Sequence, residues 1–334
     1  MISALFLFTI PAYASTSVKT ASSGVSGGGT DGFENCASGT YNSNRAESTM
    51  AVEPSNPSHL VGLSKFFFSS TYAGGMTDWS QVYRFHLGSY ESTDGGGSIT
   101  NELLPGYDCT NAPPLGLPGW DATTDPNIAF AFNPTTGKQD AYTSVLGFNY
   151  NNLANAIEVS KKPAGGGWLT PVIVMQYTGN GVGRSYDKQW IAGDYNPPCT
   201  DSPTAGCSPF SGNVYVAWTI FGLNTGKLYF SRSTDGGQTF SPSRQVSQFT
   251  GPYNTFVYLD VDSTGTLYLE YTDFGKFFGT SGTAIVRVST DGGNTFGDAL
   301  SGPSFNSVPF GVSVAPGNPT NWVSPCQRPL SETG

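Results

Sequence analysis

An octet recurs almost letter for letter in the second half of the chain. It reads Ser233-Thr234-Asp235-Gly236-Gly237-Gln238-Thr239-Phe240, then Ser289-Thr290-Asp291-Gly292-Gly293-Asn294-Thr295-Phe296. Each copy follows a short alternating apolar run, Leu228-Tyr229-Phe230 or Ile285-Val286-Arg287-Val288, and so reads as a tight turn leaving a β-strand. The chemistry suits a hairpin. The Asp carboxylate accepts hydrogen bonds from turn amides, the glycines take positive φ without a Cβ clash, and the Thr hydroxyl closes the loop. The terminal Phe starts the next strand and is free to pack.

The octet is the tail of a larger unit, in which two strands joined by an Asn-Pro or Asp-x-x-Gly turn lead through a variable loop to a third strand. The first unit has Ser48 to Val52, the turn Glu53-Pro54-Ser55-Asn56-Pro57, Leu60 to Leu63 and an octet from Ser92 to Ile99 that is degraded only at its end. The second has Ile128 to Phe132, the turn from Asn133 to Gly137, a return from Ala141 to Leu146, and Ile157 to Ser160; its turn keeps Gly165-Gly166-Gly167-Trp168 but loses the Asp. The third and fourth run from Trp190 and Phe256 to the two intact octets. The octet serines stand roughly 56 to 73 residues apart, the length that a four-stranded propeller blade with loops needs. A fifth unit starts at Val314-Ala315-Pro316-Gly317-Asn318-Pro319, which aligns with Val52-Glu53-Pro54-Ser55-Asn56-Pro57, and only eleven residues follow its Val323. About four and a half blades are therefore visible, so either the chain is a fragment or its last residues stand outside the fold.

Composition agrees with an all-β, turn-rich protein: 43 Gly, 23 Pro, 13% aromatics, and no long stretch with helical apolar spacing. The net charge of -9, with no basic cluster larger than Lys161-Lys162, argues against a nucleic-acid partner. Residues 1-14 read as a signal peptide, with an apolar run from Ile2 to Ile10 and Ala12-Tyr13-Ala14 as the cleavage site, although a basic start is missing; the competing reading is a buried first strand. The apolar run is too short to span a bilayer. Residues 15-40 read as a flexible Gly/Ser-rich leader, 41-323 as the propeller and 324-334 as a C-terminal tail. The expected location is secreted or extracytoplasmic. Five cysteines fit an oxidising compartment, and Cys199 with Cys207, flanking a Pro-rich loop, is the best candidate disulfide; Cys36, Cys109 and Cys326 stay unassigned. With only His59 and His86 available, neither a metal site nor a cofactor is expected.

The octets resemble the Asp box, Ser-x-Asp-x-Gly-x-Thr-Trp/Phe, of sialidases and other bacterial-neuraminidase-repeat proteins. The resemblance extends through blade rhythm from about residue 47 to 323. It implies a sialidase-like β-propeller of four-stranded antiparallel blades. It also implies that Asp94, Asp235 and Asp291 are structural, since Asp boxes occur in glycosidases and non-enzymes alike. For a true sialidase it further implies three arginines on a substrate carboxylate, a Tyr activated by a Glu, and an Asp as acid/base. Here the sequence departs. The Arg-Ile-Pro signature is absent, and of seven arginines only Arg45 and Arg184 lie at first-strand entrances. The adjacent pair Glu270-Tyr271 is set within a strand, where neighbours point to opposite faces.

Strand parity adds a direction. If the octets join third and fourth strands at one end, first-strand entrances and second-to-third loops lie at the other, where a ligand funnel would form. The entrances carry Glu47, Asp125 and Asp187, low-count acids that either share a ligand or cap their own strands. The crossing loops are rich in aromatics, including Trp79, Tyr150, Phe221 and Phe274, suited to stacking on sugar rings or to packing between blades. The expected function is binding of an extracellular glycan or glycoprotein by a monomer, with glycoside hydrolysis through Glu47, Asp125 and Asp187 as an extension. Arg45, Arg184, Trp79, Tyr150 and Phe274 are the candidate ligand contacts. The alternatives are a non-catalytic repeat scaffold or protein-interaction module and, behind it, a true exo-sialidase.

Overall fold

The computed structural model describes residues 41–68, 84–105, 120, 122–149, 154–178, 184–200, 206–248, 251–274, 281–298 and 300–306. The segments read from sequence as signal and leader, Cys36, Cys109, Cys326 and the residues read as a fifth unit lie outside these. Among the described residues no helix is long and apolar enough to cross a membrane.

The fold is all-β: four sheets of four antiparallel strands, each a meander in chain order. The first holds β1 (Tyr41–Glu53), β2 (Asn56–Phe68), β3 (Arg84–Ser92) and β4 (Thr100–Leu103). The second holds β5 (Ala122–Asn133), β6 (Lys138–Phe148), β7 (Asn155–Lys162) and β8 (Val172–Tyr177). The third holds β9 (Ser185–Gly193), β10 (Val214–Gly222), β11 (Thr225–Ser233) and β12 (Arg244–Gln245). The fourth holds β13 (Asn254–Val261), β14 (Leu267–Asp273), β15 (Ser281–Ser289) and β16 (Leu300–Asn306). First strands pack in succession, β1 on β5, β5 on β9 and β9 on β13, and the sheets are thus propeller blades laid side by side around their inner strands.

Three apolar cores fill the seams. Val61, Leu63 and Leu87 meet Phe130 and Val145 between the first two sheets. Tyr142 and Ile157 meet Ile191 and Val216 between the second and third. Tyr215 and Phe230 meet Leu259 and Leu269 between the third and fourth. This explains the burial patterns. β6 and β10 lie between neighbouring sheets and are buried along almost their whole length, whereas β13 and β14, with a described neighbour on one side, alternate buried and exposed.

The octets join third to fourth strands, and their hydrogen bonds repeat. In the third sheet the Ser233 hydroxyl donates to Asp235 Oδ1 at 2.7 Å and accepts from Gly237 N at 2.8 Å, while Thr239 donates through N and Oγ1 to the same carboxylate at 3.0 and 2.5 Å. Ser289, Gly293, Thr295 and Asp291 make the same set in the fourth sheet. In the first, Ser98 does the work of the Thr toward Asp94. Hydrogen bonds from Ser98 and Ser92 hold the Asp94 carboxyl at about 2. Burial works against ionisation of Asp291, but the bonds from Thr295 and Ser289 outweigh it and hold that group at about 2 as well. Cys199 and Cys207 are disulfide-bonded, closing a loop at the octet end of the third sheet.

Candidate ligand pocket at the inner-strand bulges

At the end opposite the octets, every inner strand carries a β-bulge. Ala46 pairs with Lys65 and Thr49 with Leu63, so Glu47 and Ser48 together face Ser64. In the same way Asp125 and Pro126 face Val145, Lys188 and Gln189 face Trp218, and Phe256 and Val257 face Tyr271. The first bulge residue takes a left-handed backbone each time: Glu47 at φ 53°, Asp125 at 50°, Lys188 at 53° and Phe256 at 56°. Among the described residues these are the non-glycines with positive φ. A bulge of this kind is normally built with glycine, and each side chain kept there costs about 1–3 kcal/mol. Strain repeated at equivalent points of four sheets, three of them in the wall of one cavity, is a reason to look for function there.

Sequence reading grouped Glu47, Asp125 and Asp187 as equivalent entrance acids, and the geometry revises that grouping. The third-sheet counterpart of Glu47 and Asp125 is Lys188; Asp187 stands one residue earlier, level with Thr124. The position is therefore filled in turn by two acids, a cation and an aromatic ring, and no common letter in the sequence marks it.

The bulges of the first three sheets form one polar chain. Glu47 Oε2 accepts from Thr124 Oγ1 at 2.5 Å and from Asp125 N at 3.3 Å, and pairs with Lys65 Nζ at 2.9 Å. The Thr124 hydroxyl is also 2.9 Å from Asp125 Oδ1. Lys188 Nζ spans Asp125 Oδ2 at 3.1 Å and Asp187 Oδ1 at 3.3 Å. Burial opposes the Lys188 charge, but Asp125 and Asp187 outweigh it and hold the ammonium above the ordinary lysine value. Beneath the chain, Gln189 Nε2 donates to Asp125 O at 2.5 Å and Asn127 Nδ2 to Gln189 O at 2.8 Å, which fastens the second bulge to the third.

These groups open on a cavity of about 530 Å³ whose wall includes Glu47, Asp125, Arg184, Asp187 and Lys188, with Phe148 and Phe221 among its apolar members. Asn155 shapes the rim, donating to Arg184 O at 3.1 Å and accepting from Tyr186 N at 3.0 Å. Of the other residues singled out from sequence, Trp79 and Tyr150 lie outside the described residues, as does the side chain of Arg45, whose backbone pairs with Phe66 on β2. Phe274 is buried edge-on to Phe256, ring centroids 6.0 Å apart, and is not part of the cavity wall.

Several other charged residues are engaged away from the cavity. Arg232, Arg244 and Arg287 donate to main-chain carbonyls of the fourth octet and its flank, among them Asp291 O, Gly293 O and Phe296 O. His59 bridges Glu53 and Glu91 at 2.6 and 2.8 Å, and His86 meets Thr123 at 3.1 Å. Glu270 and Tyr271 point apart, one exposed and the other buried. Among the described residues no group of three or more His, Cys, Asp or Glu side chains is placed to hold a metal ion.

No family model matches the chain, and no curated protein matches it in sequence. Solved structures of similar shape include a leech intramolecular trans-sialidase at 11% identity and a TM-score of 0.46, covering 77% of this chain and 51% of that one. An α-L-arabinofuranosidase from Fusarium graminearum aligns at 10% identity and a TM-score of 0.47, covering 77% and 66%. An intramolecular trans-sialidase from Ruminococcus gnavus aligns at 10% identity and a TM-score of 0.44, covering 77% and 70%. The chain thus spans about half the length of the leech protein and about two thirds of the Fusarium one.

Proposed function

We propose that this chain is an exported propeller that binds an extracellular glycan in the pocket over the inner-strand bulges. One observation carries the reading: three acids and two cations, contributed by three successive sheets, converge on a single cavity with aromatic members in its wall. Carboxylates accept hydrogen bonds, ammonium and guanidinium groups donate them, and aromatic faces stack on C–H-rich rings, which together match the alternating donors, acceptors and faces of a sugar. A volume of about 530 Å³ falls within the range of small-ligand pockets. The disulfide between Cys199 and Cys207 supports an extracytoplasmic location.

A specific contact also favours hydrolysis as a second reading. Glu47 and Asp125 stand on either side of one hydroxyl, that of Thr124. That approximates the ~5 Å carboxyl spacing of retaining glycoside hydrolysis. Each acid is also paired with a lysine, an arrangement suited to holding substrate hydroxyls. The scaffold alternative draws support from Asp187, whose carboxylate accepts from the adjacent Lys188 N at 2.7 Å. Arg184 is the one arginine among the described wall residues, and the exo-sialidase reading needs two more cations beside it.

The test is a glycan array run beside fluorogenic sialosides and neutral glycosides, with wild type, Asp125→Asn and Arg184→Ala. Binding of one glycan class by wild type, lost in both variants, is the expected result. Failure to bind any glycan, or binding indifferent to both substitutions, overturns the proposal.

A further inference from the structure

The fourth sheet repeats the strand order and register of the third, but no described sheet packs on its far face. Asp260 pairs with Tyr268 as Ala192 pairs with Tyr215, so the two tyrosines are equivalent. Tyr142 holds the same place in the second sheet, opposite Ala129. Tyr142 and Tyr215 are 1% and 0% exposed, covered by the next sheet and close to the glycines of its octet. Tyr268 is 39% exposed, Tyr258 on the neighbouring strand 50%, and Leu300 at the sheet edge 61%.

We propose that this face is the docking surface for residues 309–323 of the same chain, arranged as the inner hairpin of a fifth blade. Three observations converge. The covering element in the existing seams is an inner strand: β13 packs on β9, β10 and β11, and one such strand would reach β13, β14 and β15 in turn. The segment repeats the turn of the first hairpin, where β1 ends at Glu53 and β2 begins at Asn56. It also alternates apolar and small residues before that turn, with Phe310, Val312 and Val314 at every second place. By alignment with the first sheet, Val312 and Val314 match Met50 and Val52. The matching positions in the fourth sheet, Leu259 and Val261, are the ones buried against the third. Asp260 and Glu270 stand where the third sheet has Ala192 and Ala217, so the contact is narrower than the seam it imitates.

Hydroxyl-radical footprinting of the full chain, read by mass spectrometry, measures the cover directly. Tyr268 should be labelled nearly as slowly as Tyr215, and Tyr258, which already packs on Trp190 with ring centroids 4.5 Å apart, more slowly than its 50% exposure predicts. Labelling of both should rise several-fold in the full-length variants Val312→Asp and Val314→Asp, and in a chain ending at Asn306. The full-length variants keep the test decisive if the shortened chain fails to fold. Fast labelling in wild type, or protection that survives the Asp substitutions, overturns the proposal. Protection lost on simple dilution also overturns it, in favour of a second copy as the occupant.

Discussion

Lys188 on β9 reaches Asp125 on β5, Nζ to Oδ2 3.1 Å, and ties the third sheet to the second at the mouth of the pocket. Its folded pKa lies above the ordinary 10.5. The pair therefore contributes stability at neutral pH, and that contribution is lost as pH rises through the raised value. The Tm difference between wild type and Lys188→Met should be constant near neutrality and should close in strong alkali. Lys188 is 41% exposed, so the gap corresponds to no more than about 1 kcal/mol. A gap that widened above the ordinary lysine value would refute the assignment.

Asp125 separates strain from charge. Replacement by Ala removes the carboxylate and keeps a Cβ in the left-handed region, whereas Gly removes both. Lys188 keeps Asp187 and Thr124 keeps Glu47 in either variant. Urea unfolding should find Asp125→Gly more stable than Asp125→Ala by about 1 kcal/mol, with binding of the proposed glycan weakened equally in both. Equal stabilities would mean that the bulge stores no strain.

The octet acids should behave in the opposite way to the pocket acids. The Asp291 carboxyl is held at about 2 against an ordinary 3.8, so its contribution is present above that ordinary value and is lost as pH falls toward the lower one. Asp291→Ala should lower Tm at neutral pH, and the difference should vanish under acid. Binding at the far end of the sheets should not change. Loss of binding without loss of stability would mean that the octet touches ligand.

Gly293 tests the seam between the third and fourth sheets. Its φ is +76°, and a Cβ there would lie 2.8 Å from Phe230 Cζ and 3.3 Å from Tyr215. Both terms act in the same direction, so Gly293→Ala should cost about 2 kcal/mol or more by denaturant titration. A near-neutral result would show that Phe230 can move aside.

Much of this architecture was legible in the chain. Asp235 and Asp291 announce their hairpins because the motif is local: the groups that bond are four residues apart. The turn at Glu53-Pro54-Ser55-Asn56 and the alternation around it fix which end of each sheet carries the octet, and so which end carries Glu47, Asp125 and Asp187. What could not be read is the left-handed turn of the inner strands. A positive φ at Glu47, Lys188 or Phe256 runs against the preference of each residue and belongs to the bulge, a register shift between paired strands that no local motif announces. Lys188 carries no mark of its role in the sequence, which offers charge and spacing, while its equivalence to Asp125 exists only in register. Lys65, the partner of Glu47, sits on a different strand and carries no local sign of its role.

The order of the cores has a consequence for how such a chain is made. Each sheet is a meander of consecutive strands, and each seam joins a sheet to the one synthesised just before it. A nascent chain leaving the ribosome can complete one sheet, dock it and move on, without waiting for a distant partner strand. Tyr142 and Tyr215 would then be exposed only for the time needed to produce the next sheet. A pause in synthesis just after β8 or β12 would be where the unfinished protein is most prone to stick to its neighbours.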